Sequence, residues 1–429
     1  MKKTKAVILA LALAFVIAIP TIATAHSLDE VPQRTENGVV YVPLRLTAYT
    51  YGATVDWHDE TRTVHITFAD GETWTFSVYD VDALMGGFIE SPGTTWIPYE
   101  FAVNMFGIMN EAGFTQQPII IGEGTDFPLN GILAIPNNVT GQVPGVVIVQ
   151  GSGPNDMDGS GALYIYRQIA EYLAANGIAS IRHDKRTLTH RDIMSNMPPD
   201  YTIMDEVIDD ALMAAEMLRA DSRIDENRIY IIGHSLGASV APRIHAMGGD
   251  FAGLILMAGT PRNIFGEIFF EQLMEAVTDA VEMGVIDEAE ADIQLGFLQE
   301  AAEVFASVVH MTDEEARVTP LPIVSMMANY HRDMLLHPFS YFIEDITVPI
   351  LVMQGGRDFQ ILADVDFAML QEMLAERDNV IFKLYDDLNH SFVISTATNF
   401  TEHSIDMQTN LGRVYEQVLR DIVEWILTR

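Results

Sequence analysis

One ten-residue stretch has the residue types and the spacing of a serine nucleophile held in a tight turn. An apolar run at 229–232 predicts a buried strand, Gly-His-Ser-Leu-Gly follows at 233–237, and helix-forming residues continue to 247. The glycines remove Cβ atoms that would collide in so sharp a turn between strand and helix. Ser235 is therefore predicted to present a nucleophilic hydroxyl, with the Leu236 amide pointing towards a substrate carbonyl oxygen.

Two further side chains could complete this chemistry, since a serine hydroxyl needs an imidazole to take its proton and a carboxylate to hold that imidazole. Asp358 comes after a predicted strand at 349–353, and His390 comes after another at 380–384. Because the carboxyl ends of parallel strands meet at one edge of a sheet, we expect both side chains to converge on Ser235.

Other residues compete for these two roles. His403 also follows the last strand, but His390 follows it directly on a short loop. Asp364 lies further along the same loop as Asp358. His234 belongs to the turn itself, where its ring cannot face the neighbouring hydroxyl. We therefore predict that Asp358 is the acid and His390 the base.

Acyl transfer also needs amides aimed at the oxygen that gains charge, and each such donor contributes about 3 kcal/mol. Leu236 supplies one amide, and the loop Gly-Ser-Gly-Pro at 151–154 follows the first buried strand and has the compact backbone needed for the second. We assign this donor to the Ser152 amide, with the Gly153 amide as the alternative. The alternative interpretation of residues 151–154 is an ordinary glycine turn with no catalytic function. No cofactor and no metal is expected.

From about residue 118, strand patterns alternate with helix patterns, which predicts a mainly parallel sheet with helices on both faces. An antiparallel pair at 118–121 and 129–135 opens this region. The other predicted strands lie at 146–149, 178–181, 229–232, 254–257, 349–353 and 380–384. Helices are predicted at 163–175, 204–218, 367–374 and 414–427.

Between about 261 and 346 the strand patterns vanish. Helical spacing of apolar residues predicts three helices, at 264–283, 288–310 and 323–336. The aromatic and Met-rich face of this insertion either packs the helices together or forms a cap that lines a substrate pocket.

Residues 118–429 resemble an α/β-hydrolase with a helical cap, close to the branch of dienelactone-hydrolase-like esterases and serine-aminopeptidase-like hydrolases. The phrases that carry the resemblance are Gln-Gly-Ser-Gly-Pro-Asn-Asp at 150–156, Arg-His-Asp-Lys-Arg-Thr at 182–187, Gly-His-Ser-Leu-Gly at 233–237, Gly-Gly-Arg-Asp at 355–358 and Asn-His at 389–390. The Ser, Asp, His order is also the one this fold produces. The resemblance implies a serine carboxylesterase that cleaves short or medium acyl esters through an acyl-enzyme. In the first of these phrases, members of this branch often have His before the first glycine, whereas this chain has Gln150.

The region before about residue 113 has short strand patterns, including a hairpin around 58–60, and one repeated phrase. Val-Pro-Leu-Arg within 41–52 and Ile-Pro-Tyr-Glu within 96–107 each predict a strand end that turns into a brief helix. This region resembles the small N-terminal domain of copper amine oxidases, which carries no copper. Residues 26–113 are therefore assigned to a small α+β accessory domain and 114–429 to the hydrolase. Two hypotheses for the role of this domain are a passive spacer and attachment to a cell-wall polymer.

The first residues predict export. A basic start, an apolar run at 6–19 and Ala-Thr-Ala at 23–25 are typical of a signal peptide spanning 1–25, against the alternative of an uncleaved membrane anchor. The protein is expected outside the cell, secreted or held at its surface. There are no cysteines, so the protein must be stabilised by its hydrophobic cores.

The charge composition of the chain limits the kinds of molecule that it can bind. The 60 acidic and 24 basic residues give a net charge of −36, which opposes binding to nucleic acid or to an anionic membrane. Such a charge suits salty or alkaline surroundings equally well. The expected partner is a small-molecule ester, and the oligomeric state is left open. A peptidase or amidase with the same triad, and a non-catalytic wall-associated binding protein, are the alternative functions.

Overall fold

The computed structural model describes the strands between residues 34 and 98, and residues 113–429 other than 138, 160–163, 196, 325 and 410–412. The predicted signal peptide at 1–25 and the brief helices of the repeated phrase lie outside the described residues. Two compact units are present, one formed before residue 113 and one from residue 113 onward. Each is described by itself.

The larger unit is built on one eight-stranded sheet. Its strands are β8 (Phe114–Ile121), β9 (Leu129–Pro136), β10 (Val143–Val149), β11 (Ala179–His183), β12 (Ile224–His234), β13 (Gly253–Met257), β14 (Ile350–Gly355) and β15 (Val380–Tyr385). They lie in the order β15-β14-β13-β12-β10-β11-β9-β8. β9 pairs antiparallel with β8 and with β11, and the remaining neighbours are parallel. The predicted mainly parallel sheet and its opening antiparallel pair are confirmed.

The strand order changes direction between β10 and β12. From β10 the chain moves to β11 on one side, then returns to β12 on the other side and continues to β15. Loops that follow the two strands at such a switch point diverge and leave a crevice at the carboxyl edge of the sheet. The loops that carry Ser152 and Ser235 follow β10 and β12 respectively.

Both faces of the sheet are buried, and the strand period of two divides its side chains between two cores. Val147 and Ile231 belong to one core, whereas Val146, Tyr230 and Ile232 belong to the other. Alternate side chains on a strand point to opposite faces, which explains this division. Each fully buried aliphatic side chain contributes about 1.5–3 kcal/mol of hydrophobic stabilisation, so the central strands hold the site on a rigid base.

Helices cover both faces and form the insertion. The α-helices are α1 (Ile165–Ala175), α2 (Arg186–Thr189), α3 (Asp192–Ser195), α4 (Asp209–Ala220), α5 (Leu236–Ile244), α6 (Phe269–Glu282), α7 (Glu288–Ser307), α8 (Asp313–Val318), α9 (Ala328–Leu336), α10 (Phe339–Ile343), α11 (Ala368–Met373), α12 (Phe400–Thr409) and α13 (Glu416–Leu427). A π-helical turn, Met204–Ile208, leads directly into α4. Among the helices of the described residues, none has the length and apolar character needed to cross a membrane.

The insertion between β13 and β14 is helical, as predicted, and has a core of its own formed by side chains such as Phe270, Leu273 and Phe305. The helix predicted at 323–336 is wrong in its first part, because α9 begins only at Ala328. Pro320 instead forms a bridge with Met327. Ile323 has a left-handed backbone conformation, with φ 73°, so the chain turns back before the helix begins, and apolar spacing alone does not reveal this.

The smaller unit contains two antiparallel sheets. Its strands are β1 (Arg34–Glu36), β2 (Val39–Pro43), β3 (Thr54–His58), β4 (Thr63–Thr67), β5 (Thr73–Ser77), β6 (Phe88–Glu90) and β7 (Thr94–Pro98). The hairpin predicted around residues 58–60 is present as β3 and β4, and β5 extends it. The strands of the two repeated phrases, β2 and β7, pair with each other.

Candidate active site

Ser235 lies in a strained turn between β12 and α5, at φ 55° and ψ −118°. The glycines on either side are required by close backbone contacts. A Cβ atom on Gly233 would lie 2.3 Å from the oxygen of Gly237, and a Cβ atom on Gly237 would lie 2.3 Å from the oxygen of Val149. The Ser235 amide donates to the oxygen of Met257 in β13 at 2.9 Å. The sequence pattern therefore produces a turn that holds one side chain above the edge of the sheet.

Asp358 and His390 are joined by a buried hydrogen bond. Nδ1 of His390 lies 2.7 Å from Oδ2 of Asp358. Oδ1 of Asp358 accepts hydrogen bonds from the amides of Gln360 and Ile361 at 2.8 and 2.9 Å, and Nε2 of Gln354 donates to Oδ2 at 3.0 Å. Burial by itself raises the pKa of Asp358, but His390 and the Ile361 amide outweigh it, so this pKa lies below its ordinary value. The carboxylate is ionised and orients the imidazole.

Two glycines bring the loops of this pair together. A Cβ atom on Gly355 would lie 2.4 Å from the oxygen of Leu388, and one on Gly356 would lie 2.6 Å from the oxygen of Asp386. The loop after β14 therefore packs backbone to backbone against the loop after β15. This close approach is the structural role of the glycines in Gly-Gly-Arg-Asp, and it allows Asp358 to reach His390.

The rival residues are placed elsewhere. Asp364 is exposed, whereas Asp358 is buried. His403 is buried, and its Nε2 lies 3.3 Å from Nε2 of Gln360. Burial lowers the pKa of His403 to about 4, so the ring is neutral at pH 7. Of the two candidate histidines, His390 is the one hydrogen-bonded to Asp358.

The turn and the Asp358–His390 pair contact each other through His234. Nε2 of His234 lies 2.9 Å from the oxygen of His390, and the two ring centroids are 4.8 Å apart. The His390 ring bonds to Asp358 through Nδ1, and among the described residues no hydrogen bond joins this ring to the Ser235 hydroxyl. Hydrogen bonds between nucleophile and base are commonly long in ligand-free enzymes and shorten when substrate binds.

The loop after β10 lies beside Ser235. A Cβ atom on Gly151 would lie 3.1 Å from Cβ of Ser235. The Gly151 amide donates to Oη of Tyr166 at 2.9 Å and is therefore not available to a substrate. The carbonyl of Gly151 accepts hydrogen bonds from Nζ of Lys185 and Nδ2 of Asn155, both at 3.0 Å. The next amide in the loop is that of Ser152.

His234 and Tyr166 form a hydrogen-bond chain whose direction can be deduced. The His390 carbonyl can only accept, so Nε2 of His234 carries the proton. Its Nδ1 then accepts from Oη of Tyr166 at 3.1 Å, and that oxygen accepts from the Gly151 amide. Burial and the nearby His390 lower the pKa of His234 to about 3, which agrees with a neutral ring. The chain connects the Gly151 loop, the turn at Ser235 and the loop of His390.

Tyr166, Lys185 and Gln354 belong to the site, although the sequence patterns did not predict them there. Tyr166 lies in a helix with ordinary amphipathic spacing, and nothing in its local pattern marks it. Lys185 lies within the phrase Arg-His-Asp-Lys-Arg, and a lysine in an otherwise buried region is the signal that could have identified it. Gln150, the departure from the family phrase, donates through Nε2 to the oxygen of His183.

A metal or cofactor site would need clustered ligands. Within the described residues, no three His, Asp or Glu side chains are grouped as ligands of a metal ion.

Comparison with known proteins identifies the family. Residues 162–396 match the family described as serine aminopeptidase, S33, over more than half of the chain. The chain belongs to this family of hydrolases. With the mainly parallel sheet, the match establishes the α/β-hydrolase fold. Residues 24–121 match the copper amine oxidase N-terminal domain, as the resemblance implied.

Individual relatives are known as esterases. The chain is 29% identical over 309 residues to esterase EstD of Thermotoga maritima, which covers 71% of this chain and 68% of EstD. Among solved structures, Est1E of Butyrivibrio proteoclasticus is 16% identical, with a TM-score of 0.44 over 72% of this chain and 98% of Est1E. The Pyrococcus furiosus esterase Pf2001 is 14% identical, with a TM-score of 0.43 over 74% of this chain and 92% of that protein.

Proposed function

We propose that this hydrolase is a serine carboxylesterase that cleaves short or medium acyl esters by a Ser235, Asp358, His390 triad. The observation that carries the proposal is the buried Asp358–His390 pair, which contacts the strained Ser235 turn through His234. The similarity to EstD supports an ester as the substrate.

In the proposed mechanism, Oγ of Ser235 attacks the acyl carbon while Nε2 of His390 takes the hydroxyl proton. The negative charge on the carbonyl oxygen is held by the amides of Leu236 and Ser152. The tetrahedral intermediate then expels the alcohol, which receives the proton from His390, and leaves an acyl-enzyme on Ser235. Water, deprotonated by the same imidazole, releases the carboxylic acid and restores the serine.

The Asp358 carboxylate contributes orientation and charge in this mechanism. It fixes the proton on Nδ1 of His390, so Nε2 is the nitrogen left to act as the base. Its four hydrogen bonds hold the carboxylate in place, and its lowered pKa keeps it ionised throughout the neutral range. The negative charge stabilises the imidazolium that forms in each half of the reaction.

A nucleophile test decides whether the triad operates. Wild-type protein should react once with a fluorophosphonate probe and hydrolyse p-nitrophenyl acyl esters, and Ser235→Ala should abolish both while the melting temperature changes little. Ser307→Ala is the matched control, since Ser307 is the exposed last residue of α7 in the insertion. Turnover near the wild-type rate in Ser235→Ala would contradict the mechanism. An unlabelled wild type would favour the non-catalytic binding protein.

A peptidase or amidase is the second candidate, because the matched family is described as a serine aminopeptidase. An amide demands more help with protonation of its leaving group than an ester does. We expect kcat/KM for a p-nitrophenyl ester to exceed that of the p-nitroanilide with the same acyl group. The reverse order of the two kcat/KM values would replace the esterase with an amidase.

We also infer that the enzyme is exported, with a signal peptide at 1–25, an accessory domain at 26–113 and the hydrolase at 114–429. The support is the basic and apolar start of the chain and the match of residues 24–121 to a separate domain family. Mass spectrometry of protein collected from culture medium should find His26 as the first residue. Wall association predicts that residues 26–113 alone bind isolated cell walls, and a passive spacer predicts no binding.

A further inference from the structure

A chain of buried polar contacts runs from the helical insertion to the loop beside Ser235. It begins at Tyr330 in α9, passes through Glu206 in the π-helical turn before α4, and reaches Lys185, which lies between β11 and α2. None of these side chains is assigned a role in the triad. All three are buried, with exposed fractions of 0%, 8% and 2%.

The contacts are short and directional. Oη of Tyr330 donates to Oε2 of Glu206 at 2.6 Å, and Nζ of Lys185 lies 2.6 Å from Oε1 of the same carboxylate. Nζ of Lys185 also donates to the carbonyl of Gly151 at 3.0 Å. Lys185 therefore connects a carboxylate that is held by the insertion to the backbone of the loop after β10.

The Gly151 carbonyl has particular importance because it shares a peptide unit with the Ser152 amide. A trans peptide is planar, and its carbonyl and amide point in opposite directions. A donor that fixes the carbonyl therefore also fixes the direction of the amide. The ammonium charge at the carbonyl end polarises the peptide and strengthens its amide as a donor, because hydrogen bonds in series reinforce one another.

Stability alone does not explain why an ion pair occupies this position. Burying both Lys185 and Glu206 costs desolvation, and apolar residues of similar volume are often equally stabilising in such positions. What apolar residues would not provide is a charged donor to the Gly151 carbonyl. The contact with the loop is thus the property that distinguishes this pair from ordinary core residues.

We propose that Lys185 is a positioning residue of the oxyanion hole and that Tyr330 of the insertion, acting through Glu206, holds Lys185 in place. This inference rests on the proposed esterase function. It makes the insertion part of the catalytic apparatus: the docking of α9 determines where the Ser152 amide points.

A second ion pair, with Arg243 buried and Asp333 partly buried, provides a matched control. Arg243 in α5 binds Asp333 in α9 through two hydrogen bonds of 2.7 and 3.1 Å. This pair also docks α9, but among the described residues no hydrogen bond joins Arg243 or Asp333 to Gly151. Variants of this pair therefore separate the effect of loosening the insertion from the effect of losing the donor to the Gly151 carbonyl.

The experiment compares Lys185→Met/Glu206→Gln, Tyr330→Phe and the control Arg243→Gln/Asp333→Asn in the full-length chain. Pairing the first two substitutions avoids an unpaired buried charge. We expect kcat for a p-nitrophenyl ester to fall roughly 30-fold in Lys185→Met/Glu206→Gln and about 3-fold in Tyr330→Phe, with KM within about 2-fold, because the donor acts in the transition state. The inhibition constant of an alkylboronic acid, which forms a tetrahedral adduct, should rise in parallel. The control should keep kcat within about 2-fold of wild type.

The outcomes separate this inference from the proposed function. A wild type that neither hydrolyses esters nor reacts with a fluorophosphonate overturns the esterase and this inference with it. An active wild type together with unchanged kcat in Lys185→Met/Glu206→Gln overturns the inference alone, as does an equal fall of kcat in the control. If the Lys185 variant does not fold, Tyr330→Phe decides, and an unchanged kcat there contradicts the proposal.

Discussion

At the scale of single residues, the site depends on buried side chains whose polar atoms hold neighbouring loops together through hydrogen bonds. Tyr166 is the clearest case, because its hydroxyl accepts from the Gly151 amide and donates to Nδ1 of His234. Burial raises the pKa of Tyr166, so the hydroxyl stays protonated and can serve both partners at neutral pH.

Tyr166→Phe should therefore affect both stability and catalysis. It leaves a buried amide and a buried ring nitrogen without partners, and we expect a loss of about 2 kcal/mol in the free energy of unfolding. The released loop should also reduce kcat by about tenfold. Chemical denaturation and ester kinetics measure the two effects. Tyr385→Phe, which loses a hydrogen bond to Asp421, is the control and should lower stability without lowering kcat.

At the scale of elements, the site is produced by backbone segments that approach more closely than side chains allow. A Cβ atom on Gly237 would meet two backbone oxygens, that of Val149 at 2.3 Å and that of Gln150 at 2.8 Å. Neither oxygen can move without displacing the end of β10. The start of α5 and the end of β10 are thus held together by this close backbone approach at Gly237.

Gly237→Ala is predicted to separate these two elements. We expect a loss of more than about 3 kcal/mol in the free energy of unfolding and esterase activity below about 1% of wild type, because backbone strain and a displaced donor loop act together. Gly296→Ala in the middle of α7 is the control. No atom lies within 4 Å of a Cβ atom there, so this change should stabilise the protein by about 0.5–1 kcal/mol. Wild-type activity in Gly237→Ala would show that the turn tolerates a side chain.

At the scale of the whole molecule, several histidines are buried as neutral rings. Burial lowers the pKa of His234 to about 3 and the pKa values of His331 and His403 to about 4. An unfolded histidine has a pKa near 6.5. Between about pH 4 and pH 6.5 these three side chains therefore bind more protons in the unfolded chain than in the folded chain. Their contribution to the free energy of unfolding falls as the pH is lowered through this range.

Each such histidine contributes a slope of about 1.4 kcal/mol per pH unit. His331→Phe should remove one of these contributions, so the free energy of unfolding of that variant should depend less steeply on pH between about 4.5 and 6. Denaturation midpoints measured across this range check the slope. His310→Gln, which replaces an exposed histidine, is the matched control. Equal slopes in wild type and His331→Phe would mean that His331 is protonated in the folded state.

The sequence by itself determined the features that are encoded over a few neighbouring residues. The period of two in the strands, the glycines around Ser235 and after β14, and the polar residues at strand ends are local patterns, and they predicted the sheet and the contact between Asp358 and His390. The helix predicted at 323–336 failed at its start, where Ile323 has a left-handed backbone conformation despite the apolar spacing.

Only the tertiary structure decided which distant polar groups meet. Tyr330 and Glu206 are 124 residues apart, and His234 and His390 are 156 apart. Such partners are selected by how helices and loops pack across the finished sheet, and a buried polar group must then find whatever partner that packing provides. Local spacing contains no information about this choice, so the hydrogen-bond partners of Tyr166, Lys185 and Glu206 are known only from the folded structure.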